Sequence, residues 1–219
     1  MKKSTKRYIE SALFFVIFAV FTVLVKKIDV QAIGPEGSSV GFASLNAKFH
    51  EMFGYNEFWY NFSERLGYAA LAVCAAFAIT GLIQFIKGKG LKAVDRKIIF
   101  LGIFYVVVIA FYAAFEKIII NYRPILEADG SLEASYPSSH TVLALCVFIT
   151  MFSQRVFNRK GTTSEKAENV IAGTILVALM VLSRLFSGVH WFTDIVGGIL
   201  LSTALVLLYK AVANRIDGD

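Results

Sequence analysis

Apolar residues fall into six runs, 9–25, 67–86, 98–115, 140–152, 170–186 and 195–208, separated by polar stretches that hold most of the charge. A helix needs about 20 mainly apolar residues to cross a bilayer. The runs are therefore read as six transmembrane helices, with 140–152 borrowing a turn at either end and 195–208 forming the core of the last. The longest polar segment, 28–65, opens on a turn cluster at 34–39, Gly-Pro-Glu-Gly-Ser-Ser. After it Phe49, Met52, Phe53, Phe58, Trp59 and Phe62 recur at helical spacing, with Lys48, Glu51, Glu57 and Glu64 between them. That pattern predicts an amphipathic helix over 43–62 lying at the interface, with Trp59 and Tyr60 in the aromatic belt. His50 reads there as a polar surface residue. The predicted architecture is all-α: one membrane domain, 1–219, built as a six-transmembrane-helix bundle with an interfacial amphipathic helix in its first outer loop.

Composition agrees with a membrane protein. The chain is 57% hydrophobic with a mean hydropathy of +0.64, above the ~45–50% of soluble domains. The net charge of +6 does not point to nucleic acid, because the cations sit in short loops between apolar runs. The partner they imply is the bilayer, and they set topology. The amino terminus, 87–97, 153–169 and the carboxyl tail carry fifteen Lys and Arg, against seven on the other side. Both termini are thus expected in the cytoplasm of a cell-membrane protein. Lys26 and Lys27 run against the rule and are read as snorkelling. The basic start and first apolar run have the form of a signal peptide, but Lys26-Lys27 follows where small residues would mark cleavage, so an uncleaved span is expected. Cys74 and Cys146 lie inside apolar runs and read as free and buried. No feature of the sequence sets an oligomeric state.

The chemistry collects at the outer ends of four spans: Lys117 and Arg123-Pro124, then Pro137-Ser138-Ser139-His140, then Ser183-Arg184, then His190 and Asp194. Ionisable residues at a membrane edge are functional candidates by default. His190 and Asp194 are four apart, a spacing that on a helix would let the carboxylate orient the imidazole as a nucleophile. Lys117, Arg123 and Arg184 would repel a metal but suit a phosphate, so no metal or other cofactor is expected. With Pro137 in the first turn of a helix, the amides of Ser138 and Ser139 would point at an anion. His140 is placed to give a proton to a leaving oxygen. A phosphohistidine intermediate follows from these roles.

Together these residues resemble the three signature motifs of the type-2 phosphatidic acid phosphatase family, over roughly 98–208. The third motif, Ser183-Arg184 with Gly188, His190 and Asp194, matches at every defining position. The second has Ser139 where the family has glycine, and in the first Lys117 precedes Arg123 by six residues, where the family has seven. The resemblance implies a six-helix membrane fold and metal-independent hydrolysis of a lipid phosphate on the extracytoplasmic face. The substrate classes it implies are phosphatidic acid, phosphatidylglycerol phosphate and polyprenyl diphosphate. It makes His190 the nucleophile, His140 the acid and Asp194 the relay, with Arg123, Arg184, Ser138 and Ser139 on the phosphate and Lys117 in the place of the family lysine. A phosphotransferase with the same site and a six-span anion transporter are the other readings open to this sequence.

Overall fold

The computed structural model describes residues 2–153, 163–216 and 218. Among them are seven α-helices: α1 (Lys3–Lys27), α2 (Ala43–Phe53), α3 (Glu57–Gly88), α4 (Arg96–Lys117), α5 (Ser139–Ser153), α6 (Thr163–Phe186) and α7 (Phe192–Ile216). Short 3-10 turns occupy Pro35–Gly37 and Leu91–Ala93, and the described residues contain no strand. Five helices, α1, α3, α4, α6 and α7, are long and apolar enough to cross a membrane. The fourth predicted span, α5, has only 15 residues, about 22 Å at 1.5 Å per residue. Arg155, Arg159 and Lys160, three of the cations used to orient the chain, lie outside the described residues. Positions 163–169, expected in a loop, are the first turns of α6.

The helix ends follow from local chemistry. Asn56 caps α3, its side-chain oxygen accepting from the Trp59 amide at 3.2 Å, and Asp95 does the same for α4 through the Lys97 amide at 2.9 Å. Lys26 and Lys27 occupy the last turn of α1 and are exposed, where cations offset the helix dipole. That is a second reason, besides snorkelling, for charge on an otherwise disfavoured side.

The interfacial helix expected over 43–62 is two elements. Gly54, with φ of 58°, ends α2 after Phe53, and Phe58, Trp59 and Phe62 belong to the first turns of the long α3. Helical spacing alone cannot register a break whose residues on both sides keep an apolar period. The pieces also pack inward: Phe49 stacks on Phe192 at 4.1 Å and Phe53 meets Phe186 at 5.0 Å.

At the centre is α7, whose most apolar stretch is 56% buried, against 11–22% for the other membrane-length helices. It is held by α1, α5 and α2. Ser11 donates to the Ala204 carbonyl at 2.8 Å, a polar contact of the kind that joins helices where water is scarce. Phe100 and Phe104 of α4 stack against Tyr209 of α7. Cys74 and Cys146 are free, Cys146 buried and Cys74 partly so.

Candidate active site

Trp191 and Asp194 organise the turn from α6 into α7. The Trp191 amide donates to Asp194 Oδ2 at 2.9 Å, and its indole donates to the Tyr122 carbonyl at 2.7 Å. Gly188 makes the turn possible: its φ is +65°, and a Cβ there would stand 1.7 Å from the Gly54 carbonyl oxygen. Asp194 is fully buried and accepts two more bonds, from Ser135 Oγ at 2.7 Å and Asn121 Nδ2 at 3.1 Å. One carboxylate thus ties the α4–α5 connection to the start of α7.

His190 stands in this turn and not on a helix, so the premise that a helical face aligns it with Asp194 does not hold. Its Nδ1 faces Asp194 Oδ2 at 3.8 Å, beyond hydrogen-bond length. The Nε2 lies 2.9 Å from Arg184 NH2. A guanidinium only donates, so Nε2 must be the bare acceptor and the ring proton sits on Nδ1. Burial first, then the charges of Arg184 and Arg123, hold the imidazole well below its ordinary range and keep it neutral. The resulting neutral ring has its Nε2 lone pair held by a cation's hydrogen bond.

Arg184, in the last turn of α6, has no exposed surface. Besides His190 it reaches Ser63 Oγ at 3.0 Å and Glu64 Oε1 at 3.1 Å, over the Tyr60 ring. Glu64 Oε1 also lies 3.2 Å from His140 Nε2. Gly67, one turn further along α3, leaves room for the His140 ring, since a Cβ there would come within 2.8 Å of it. Glu64 is one of the residues that sequence reasoning missed. Its available signal was that it is an acidic side chain at the edge of a span.

The other expected phosphate ligands are arranged differently. Arg123 is 8% exposed, and its fork is taken by Glu127 at 3.0 Å and Glu133 at 2.9 Å. Burial, and then the hydrogen bond with Glu127, push Glu133 up to about 7. The Ser138 amide donates to the Asp194 carbonyl at 3.0 Å and is not directed at an anion. Pro137 precedes the helix, which starts at Ser139, so only the Ser139 amide stands in its first turn. Lys117 is exposed at the end of α4, and among the described residues its side chain has no hydrogen bond or ion pair. Its neighbour Glu116 lines the cavity described next. His50 is half-buried and not fully on the surface: it packs on Trp191 at 5.5 Å, and burial lowers its ring below the ordinary range.

A cavity of about 300 Å³ opens beside His140. Val108, Phe111 and Phe115 of α4, Leu71 of α3, and Val142 and Leu143 of α5 make its walls apolar, while Glu64, Ser139 and His140 line its polar part.

Comparison with known proteins gives a consistent picture. The model of the PAP2 superfamily matches residues 114–217. Phosphatidylglycerophosphatase B of Bacillus subtilis (strain 168) is 30% identical over 101 residues, 46% of this chain and 48% of the relative, so the match spans about half of that protein's length. The fold matches the crystal structure of a transmembrane PAP2-type phosphatidylglycerolphosphate phosphatase from Bacillus subtilis, with a TM-score of 0.65 over 95% of this chain and 97% of the other, at 16% identity.

Proposed function

Starting from residues 114–217 as a PAP2 superfamily domain, we propose that this chain is a membrane lipid phosphatase working through a phosphohistidine. The observation that carries the proposal is the neutral His190 imidazole held 2.9 Å from the buried Arg184 guanidinium, which Glu64 links to His140 at the polar part of an apolar cavity. His190 Nε2 attacks phosphorus, the phosphorus–oxygen ester bond breaks, and His140 gives its proton to the departing alcohol. Water then attacks the phosphohistidine and returns a proton to His140, releasing inorganic phosphate. Arg184 and the Ser139 amide take the phosphoryl oxygens, and Arg123 contributes positive field from within its carboxylate pair.

Asp194 acts as the fixed point of the site: it holds Trp191, Ser135 and Asn121, and its charge faces the Nδ1 proton of His190. The apolar cavity suits an acyl or prenyl tail. Of the lipid phosphates, phosphatidylglycerol phosphate is the first to test, because the relative found is a phosphatidylglycerophosphatase. The bias of Lys and Arg supports a site on the extracytoplasmic face of the cell membrane, with six spans and both termini in the cytoplasm.

Phosphate release from a panel of lipid phosphates, measured with purified full-length protein in detergent and excess EDTA, tests this. Turnover of at least one lipid monophosphate or diphosphate is expected. No turnover of any, or turnover that returns only with added divalent metal, overturns the proposal.

A further inference from the structure

Glu64 occupies an unusual position for a carboxylate. Its Oε1 touches both Arg184 NH1, at 3.1 Å, and His140 Nε2, at 3.2 Å. The proposed reaction, on which this inference rests, needs the same two groups for a phosphoryl oxygen and for the leaving oxygen. A phosphate oxygen and a carboxylate oxygen are alike in charge and in hydrogen-bond geometry. Both cannot occupy one position, and an approaching dianion is repelled by the carboxylate already there. Glu64 is also free to yield: a quarter of its side chain is exposed, and among the described residues its second oxygen makes no bond comparable to those fixing Asp194. It lines the apolar cavity, where a tail would lie beside it.

We infer that Glu64 is an internal competitor, an anion that holds the place of a phosphate oxygen and must be displaced by substrate. Displacement costs free energy, and a bare phosphate has little with which to meet it. A lipid phosphate does, through the burial of its tail in the cavity. The same carboxylate would return as the product leaves and help to expel inorganic phosphate. The residue thus lowers the affinity for every phosphate by a similar factor, so that bare phosphate no longer occupies the site while a ligand with a buried tail still does.

The test is inorganic phosphate binding to full-length protein in detergent micelles, followed by the shift in thermal midpoint. It is run for the wild type, Glu64→Gln and Glu64→Asp, with competitive inhibition of lipid turnover as a second measurement. Glu64→Gln keeps the shape and removes the charge, so it should bind phosphate roughly 10- to 100-fold tighter, the range of one charge-assisted bond. Glu64→Asp, set back by one methylene, should fall between the two, and it serves alone if the glutamine variant does not fold. Because the same displacement cost falls on every phosphate, kcat/KM for long-tailed and short-chain phosphate esters should rise by similar factors in the same order. Equal or weaker phosphate binding by the variants overturns the inference while leaving a phosphatase that still turns over lipid. Absence of phosphate binding and of lipid turnover in every form overturns both.

Discussion

Asp194 and His190 lie 3.8 Å apart with almost no exposed surface, whereas Glu64 and His140 lie 3.2 Å apart with about a quarter of each side chain exposed. The first pair is a built fixture. Asp194 accepts from Ser135, Asn121 and the Trp191 amide, so it has no reason to move, and it orders the turn that carries His190. The second pair joins α3 to α5 through one oxygen, which Arg184 shares. A saturated, dry carboxylate gives position, and a half-wetted, shared one gives exchange. The two regions divide the work of a phosphoryl-transfer site accordingly, one side preorganised and the other yielding to substrate.

The largest expected effect breaks both pairs at their histidines. His190→Ala should remove turnover by roughly 10⁴-fold or more, as loss of a nucleophile does. His140→Ala should cost about 10²- to 10⁴-fold on alkyl phosphates. With p-nitrophenyl phosphate, whose leaving group needs no proton, the His140→Ala loss should shrink and the His190→Ala loss should not. Steady-state kinetics on both substrates decides it, and equal losses for His140→Ala on the two would remove its role as acid.

Next in size is the contrast in stability. Asp194→Ala strands three buried donors, at about 1–3 kcal/mol each, and should lower the thermal midpoint sharply. Glu64→Ala leaves groups that water can reach and should lower it much less. Comparable drops in a melting experiment would contradict the division into fixed and yielding sides.

Much of the fixed side was legible in the chain, because its parts are close in sequence. Arg184, Gly188, His190 and Asp194 fall within one short stretch, and the proximity of His190 to Asp194 survives although the helix invoked for it begins only at Phe192. Turn chemistry brought them together, through the Trp191 amide on Asp194. The yielding side was not legible, because Glu64 meets Arg184 from 120 residues away and only the packing of α3 makes them neighbours. The same limit hid Asn121 and Ser135, which read as ordinary loop residues until Asp194 is placed between them. The six apolar runs were readable and each lies in a helix, five of them long enough to cross a membrane, yet the break at Gly54 was not, since the apolar period continues through it. The roles first given to Ser138 and Arg123 assumed that free donors face the substrate. In the fold those donors already have partners: the Asp194 carbonyl for Ser138, Glu127 and Glu133 for Arg123.

A third effect concerns pH. The folded His190 is held below its ordinary value of 6.5, so the unfolded chain binds the proton more readily. Stability from this group is therefore complete above about pH 6.5 and is lost as pH falls toward the depressed folded value. The thermal midpoint of the wild type should drop between pH 7 and 5 by more than that of His190→Gln (approximate bounds from the same linkage). Parallel pH curves for the two proteins would show that His190 is not buried as a neutral ring.

The smallest effect is expected at Lys117. Exposed and without a side-chain partner among the described residues, it is read as an interface anchor, so Lys117→Ala should change kcat/KM by less than about threefold, within the range of an exposed charge. A loss of tenfold or more would bring Lys117 back as a phosphate ligand and require α4 to end differently with substrate bound.

The central claim is that phosphate passes through His190. Rapid acid-free quenching of the full-length enzyme with lipid substrate carrying a labelled phosphate, followed by peptide mapping, tests it directly. The account predicts a label that is stable in base and lost in acid, located on the peptide containing His190 and absent from His190→Ala. A label on His140, an acid-stable label, or full turnover with no protein-bound phosphate in the burst phase would contradict it.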